Sequence, residues 1–200
     1  MPDLYRLVKK FAEDRLAERG FKSDKLKEGF YFDFSEEVSA FFHVTGMWSH
    51  VEIHSGVRFA ALNDLLYRCA LEAGWTKEAA SLFRLKLVGI FREKMGDFCA
   101  AAEDIGIYCP LNSQVLGAEE ILDRILSESV RLSDFTDLRV AVNYVRQNGL
   151  FEPFARYMIP AAARIVGDSS LWDWSMAHFA NNTEDDKEFY RPLLACLEKA

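Results

Sequence analysis

Residues 38–59 read Val38-Ser39-Ala40-Phe41-Phe42-His43-Val44-Thr45-Gly46-Met47-Trp48-Ser49-His50-Val51-Glu52-Ile53-His54-Ser55-Gly56-Val57-Arg58-Phe59, and their alternation decides the fold. Apolar side chains recur at every second position on either side of Gly46-Met47-Trp48, the period of a strand whose successive side chains point to opposite faces. Two strands, 38–45 and 49–59, are therefore expected to form a hairpin. With Met47-Trp48 as the loop, Val44 stands opposite Val51 and Phe42 opposite Ile53, on one apolar face. The other face then receives His43, His50, Glu52, His54 and Arg58, with His43 across from Glu52. A slip of one residue would place Phe42 and Glu52 on the same face, which burial penalises.

Upstream, Phe30, Phe32 and Phe34 alternate with Tyr31 and Asp33 in a further strand, and Ser35-Glu36-Glu37 makes the turn into 38–45. Residues 3–18 carry Leu4, Leu7, Val8, Phe11, Ala12 and Leu16 at helical spacing, with Asp3 as expected N-cap and Gly20 as stop signal. Lys22 to Glu28 is a polar connector. Residues 1–60 thus read as a helix on a three-stranded antiparallel meander.

From 61 to 200 the pattern turns mainly helical. Asn63 or Asp64 is expected to cap a helix running to Gly74, and Thr76-Lys77-Glu78 opens a second run toward Gly96. Within it, 85–91 is aliphatic enough to be either helix or buried strand. Ile105 to Pro110 reads as an extended connector, followed by helices at 117–131 and 134–147. Pro153 and Pro160 bracket another helical piece, and Leu171-Trp172-Asp173-Trp174 reads as an irregular segment among Gly, Ser and Asp residues. Thr183-Glu184-Asp185-Asp186 starts a last helix, which Pro192 kinks or divides. The fold class is α+β, with 1–60 and 61–200 packed as one compact unit.

Half of the residues are hydrophobic and 14% aromatic, enough to fill a core in a chain of 200 residues and incompatible with intrinsic disorder. The net charge of −7 argues against nucleic acid as a partner, since phosphates are neutralised by clustered Lys and Arg. Residues 1–60 carry nine basic and ten acidic side chains, whereas 61–200 carry fifteen and twenty-one. That acidic skew would steer a basic protein partner, although solubility alone accounts for modest negative charge. Cys69, Cys99, Cys109 and Cys196 are far apart in the chain, without the close pairs of a zinc site or the density of a disulfide scaffold. Buried free thiols in a reducing compartment are expected, and with no apolar leader or membrane span the expected location is the cytoplasm.

The residues best placed for chemistry are His43, His50, Glu52 and His54. Two imidazoles and a carboxylate on one rigid face suit a metal ion, with His50, Glu52 and His43 as ligands, or a general base. Against this, an antiparallel sheet often leaves one face wet, and ligands at i and i+4 on a strand stand about 13 Å apart. No phosphate loop, dinucleotide fingerprint, nucleophile elbow or His-Glu-x-x-His sequence occurs. No local basic residue activates Cys109, which reads as structural. Trp172 and Trp174 suit either an interface or core packing, and Trp48, at the hairpin tip, is the aromatic expected to be exposed.

Phe21, the three strands and the segment from Met47 to Val57 together resemble a bacterial domain-of-unknown-function family. Its features are a starting helix, a Gly-Phe step, an aromatic strand and a Trp-containing hairpin ending in an apolar-Gly-Val strand. The likeness covers about sixty residues, and some relatives are suspected immunity or accessory proteins, which implies a protein-binding role without supplying site residues. The expectation is a non-catalytic protein-binding or immunity-type module with an acidic helical surface and no cofactor. The rival is a metal-dependent or acid–base enzyme using the His/Glu cluster, and a homodimerising helical scaffold is the third reading.

Overall fold

The computed structural model describes residues 4–23, 29–47, 50–86, 88–99, 114–149, 155–179 and 190–200. Helix α1 (Leu4–Phe11) widens into a π turn over 12–16 and tightens into a 3₁₀ turn over 17–19. Gly20 then closes the helix in the left-handed conformation, as the stop signal requires. The expected N-cap, Asp3, lies outside the described residues. Phe21 follows and seats its ring against Phe32 and Phe42, with centroids 5.2 and 5.9 Å away.

Strands β1 (Lys22–Ser23), β2 (Gly29–Asp33), β3 (Val38–Met47), β4 (His50–Phe59) and β5 (Phe91–Cys99) lie side by side in chain order, all antiparallel. A two-residue strand β6 (Gln114–Val115) adds to β5 in parallel. The expected three-stranded meander is thus the centre of a larger sheet. Its register also differs from expectation. Val44 faces Ile53, Phe42 faces Ser55 and Gly46 faces Val51, because Met47 pairs with His50 and both remain in the ladder. The shift is by two residues, and a strand repeats every two, so each side chain keeps the face expected of it.

The second apolar run, expected to be helical toward Gly96, divides. Helix α3 (Lys77–Ala80) and a 3₁₀ turn over 81–84 end at Arg84, and the strand begins only at Phe91. Most of 85–91 is accordingly neither helix nor strand. Helix α2 (Ala60–Glu72) follows β4 without a loop, its first amide (Ala60) donating to the Glu37 carbonyl. Asn63, expected as the cap, lies fully buried inside α2 instead. Its Nδ2 donates to the carbonyls of Phe83 at 2.6 Å and Val88 at 3.0 Å. It pins the irregular segment that leads into β5. Where that segment reaches the sheet, Gly89 comes so close that a Cβ there would stand 2.6 Å from Phe41 Cε1.

Helices α4 (Ala118–Leu132), α5 (Leu138–Asn148), α6 (Ala155–Val166), α7 (Ser169–Phe179) and α8 (Tyr190–Lys199) complete the chain. Pro160 stands inside α6 rather than bounding it. It cannot donate to the Arg156 carbonyl one turn back, and the Tyr190 hydroxyl of α8 donates to that oxygen at 3.0 Å in its place. The Trp172–Trp174 segment is likewise helical. Asp168 accepts the Leu171 amide and the Ser170 hydroxyl, so the polar residues read as a loop act as the start of α7. Pro192 sits in the first turn of α8, where a missing amide hydrogen costs little. Pro153, Ile105–Pro110 and Thr183–Asp186 lie outside the described residues.

Phe42, Val44, Val51, Ile53 and Val57 from one sheet face join Val8, Leu62, Leu66, Ile121 and Ile125 in a single core that extends through α5, α6 and α8. Helices α1 and α4 both touch β3 and β4 and each other. Full burial of side chains of this size contributes about 1.5–3 kcal/mol each. No described helix is long and apolar enough to cross a membrane.

Candidate functional site

On the opposite face of the hairpin the structure gathers His43, Glu52 and His54. His43 stands directly across from His54, and Thr45, not His43, faces Glu52. Glu52 and His54 project to the same side, two residues apart, and His54 Nε2 lies 2.6 Å from Glu52 Oε1. Lys94 pairs with His54 across the β4–β5 ladder, and its Nζ is 3.4 Å from the same carboxylate oxygen. A bulge between Ile53 and His54 leaves Met95 as the extra residue of β5 and brings Lys94 into that place. Burial alone would raise the Glu52 carboxyl, but the hydrogen bond and charge of His54 and the charge of Lys94 outweigh it and hold the group below its ordinary range. The carboxylate is therefore ionised at neutral pH, and the hydrogen between the two groups resides on His54 Nε2.

His50 lies at the turn end of β4, paired with Met47 and Cys99, four residues from His54. Among the described residues no three His, Cys, Asp or Glu side chains are placed to hold a metal ion. Arg58 belongs to the other end of the strand, only 8% exposed. Burial pulls its guanidinium down from the ordinary value, opposed by the charges of Asp64, Asp33 and Glu37. It is an interior cation, not part of the histidine cluster.

Trp172 and Trp174 are half-buried on α7, packed against the core, each with a guanidinium over its ring. Arg164 lies 4.6 Å from the Trp172 centroid and Arg146 5.1 Å from that of Trp174, which also stacks on His178. Trp48 and Cys109 lie outside the described residues.

Two clusters escape a reading of the sequence. In the first, Arg131 of α4 donates to Glu128 and Glu93, each at 2.6 Å, and to the Tyr144 hydroxyl at 3.2 Å. The buried Ser55 hydroxyl donates to Glu128, so this network ties α4 and α5 to the sheet. The spacing of Glu128 and Arg131 marks a helical pair, but nothing in the sequence names their partners on β4 and β5. In the second, Cys69 and Glu72 of α2 and Cys196 of α8 line a surface cavity of about 520 Å³, together with Arg68, Arg164 and Lys199.

The acidic skew is absent from the described helices. Fourteen acidic and fourteen basic residues balance within the described part of 61–200, so the excess belongs to Glu103, Asp104, Glu152, Glu184, Asp185, Asp186 and Glu188, offset only by Lys187. Comparison of the chain with family models, with curated proteins and with solved structures finds no match.

Proposed function

We propose that this chain is a non-catalytic protein-binding module of the immunity type, which recognises a basic partner through its segregated acidic residues. The observation that carries this reading is the charge distribution. The net charge of −6 over 61–200 is clustered in the sequence, half of it within Glu184-Asp185-Asp186-Lys187-Glu188. A concentrated patch of one sign raises the association rate of an oppositely charged protein more than the same charge spread evenly. Affinity capture from the native cell at low ionic strength is expected to return one stoichiometric basic protein, released as salt shortens the Debye length. Reversal of Glu184, Asp185, Asp186 and Glu188 to Lys should abolish the capture. Absence of a stoichiometric partner, or capture indifferent to the reversal, refutes the reading.

One observation favours an acid–base enzyme as second reading: Glu52 fixes the tautomer of His54, and His43 stands opposite. A carboxylate-oriented imidazole is the usual form of a general base. Turnover of a panel of aryl esters and phosphoesters, lost together in Glu52→Gln and His54→Gln, would support it. Equal background rates in all three proteins would remove it.

A further inference from the structure

We propose that Cys69 and Cys196 are a redox-modifiable pair, oxidised by a hydroperoxide to a disulfide that fastens the C-terminal helix α8 to α2. Both thiols are free in this structure and line the same cavity. The helices that carry them pack together. Cys196 Sγ donates to Glu72 Oε2 at 3.0 Å. Glu72 lies one helical turn beyond Cys69 on α2, so a side chain that reaches Glu72 from α8 also reaches the neighbourhood of Cys69. The electrostatics agree, since Cys196 interacts with the Cys69 thiol as well as with Glu72.

The two sulfurs are unequally accessible, and this assigns their order of reaction. Cys69 is 2% exposed, whereas Cys196 is half-buried at the cavity wall. The Cys196 thiolate attacks one oxygen of hydrogen peroxide, the O–O bond breaks, and the departing hydroxide takes a proton to become water. Cys196 is then a sulfenic acid. The Cys69 sulfur displaces its hydroxyl, the S–S bond forms, and the hydroxyl leaves as a second water with the Cys69 proton. Two S–H bonds and one peroxide become one disulfide and two waters.

Burial, the Cys69 thiol and the Glu72 carboxylate push Cys196 up to about 12. Thiolate is therefore scarce at neutral pH, which makes the pair slow to oxidise. A thiolate destabilised in this way is also a poor leaving group when the disulfide is attacked. The staple, once formed, persists. It also removes the hydrogen that Cys196 donates to Glu72.

The test uses the full chain as a Cys99→Ser/Cys109→Ser variant, treated with hydrogen peroxide. The expected result is loss of both remaining thiols, a monomer on a non-reducing gel, and a peptide map linking residues 69 and 196. The cross-link closes most of the chain into a loop, so Tm should rise by an amount on the order of 10 °C and fall back with dithiothreitol. The rate should climb about tenfold per pH unit from 7 to 10. Adding Cys196→Ser should abolish both linkage and Tm rise. Thiols that persist, oxidation to sulfinic acid without linkage, or a disulfide-linked dimer each overturn the proposal. Should the double serine variant fail to fold, the same peptide map on the unsubstituted chain decides, and a linkage other than 69–196 counts against it.

Discussion

Asn63 offers the sharpest test of how the helical half meets the sheet. It is fully buried and donates both of its amide hydrogens, to Phe83 O at 2.6 Å and Val88 O at 3.0 Å. Replacing it with Ala leaves two carbonyls without that donor. Each buried acceptor so stranded costs about 1–2 kcal/mol, for a total of about 2–4 kcal/mol. In a chain of this length that lowers Tm by about 5–12 °C. Asn63→Asp should be at least as damaging, because a carboxylate cannot donate to those carbonyls and burial penalises its charge. A helix cap would behave otherwise, since Asp and Asn cap almost equally well. Asp64→Ala should cost less than Asn63→Ala: its ion pair with Arg84 is 3.6 Å long between half-exposed groups and is worth less than about 0.5 kcal/mol, to which only the loss of one of the charges facing Arg58 adds. Urea denaturation of the three variants measures the energies, and hydrogen exchange at the amides of 85–90 locates the loss. Asn63→Ala within about 1 kcal/mol of the parent, or Asn63→Asp indistinguishable from it, would refute the pinning role.

Gly46 has φ +147°, and a Cβ there would stand 2.1 Å from the His50 carbonyl oxygen, so Gly46→Ala should lower the urea midpoint by the equivalent of about 2–4 kcal/mol. Glu52 has its carboxyl lowered in the fold, so it stabilises the native state above its unfolded pKa and ceases to do so as pH falls through the folded value. The stability difference between the parent and Glu52→Gln should accordingly be largest near neutrality and close in acid; a gap that widens in acid contradicts the pairing with His54 and Lys94. Arg131→Met leaves Glu93 and Glu128 facing one another without their shared cation and should cost about 1–3 kcal/mol at neutral pH. Glu128→Gln introduced alongside should recover part of that loss in a double-mutant cycle of unfolding energies.

The faces of the central hairpin were legible because strand periodicity is strict. Taking Met47-Trp48 for the loop misplaced the register by two residues, yet Phe42 and Val44 still fell on one side and His43 and His54 on the other. What changed is the partner opposite each residue, and with it the candidate site: His43 meets His54, and Glu52 bonds along its own strand. Strand β5 was hidden because its bulge at Met95 interrupts the alternation and an aliphatic run precedes it. Pro160 and Asn63 depart from what their local sequence predicts for a common reason. Each is unfavourable locally, and each is compensated by a group distant in sequence, the Tyr190 hydroxyl for one and two carbonyls of 83–88 for the other. Cys69 and Cys196 belong to the same category, since only packing of α2 on α8 brings them together.

The order of the strands has a kinetic consequence. From β1 to β5 every strand lies beside its predecessor in the chain, but the links differ greatly in reach. β3 and β4 are separated by two residues, so closing them forfeits little chain entropy and can happen within microseconds. β5 is joined to β4 only after the whole of 60–90 has been traversed, and that tether contains α2 with Asn63. Assembly should thus begin at the hairpin bearing the histidines and add β5 once the first long helix has formed, leaving α8, the last element in sequence, to dock onto a surface already built.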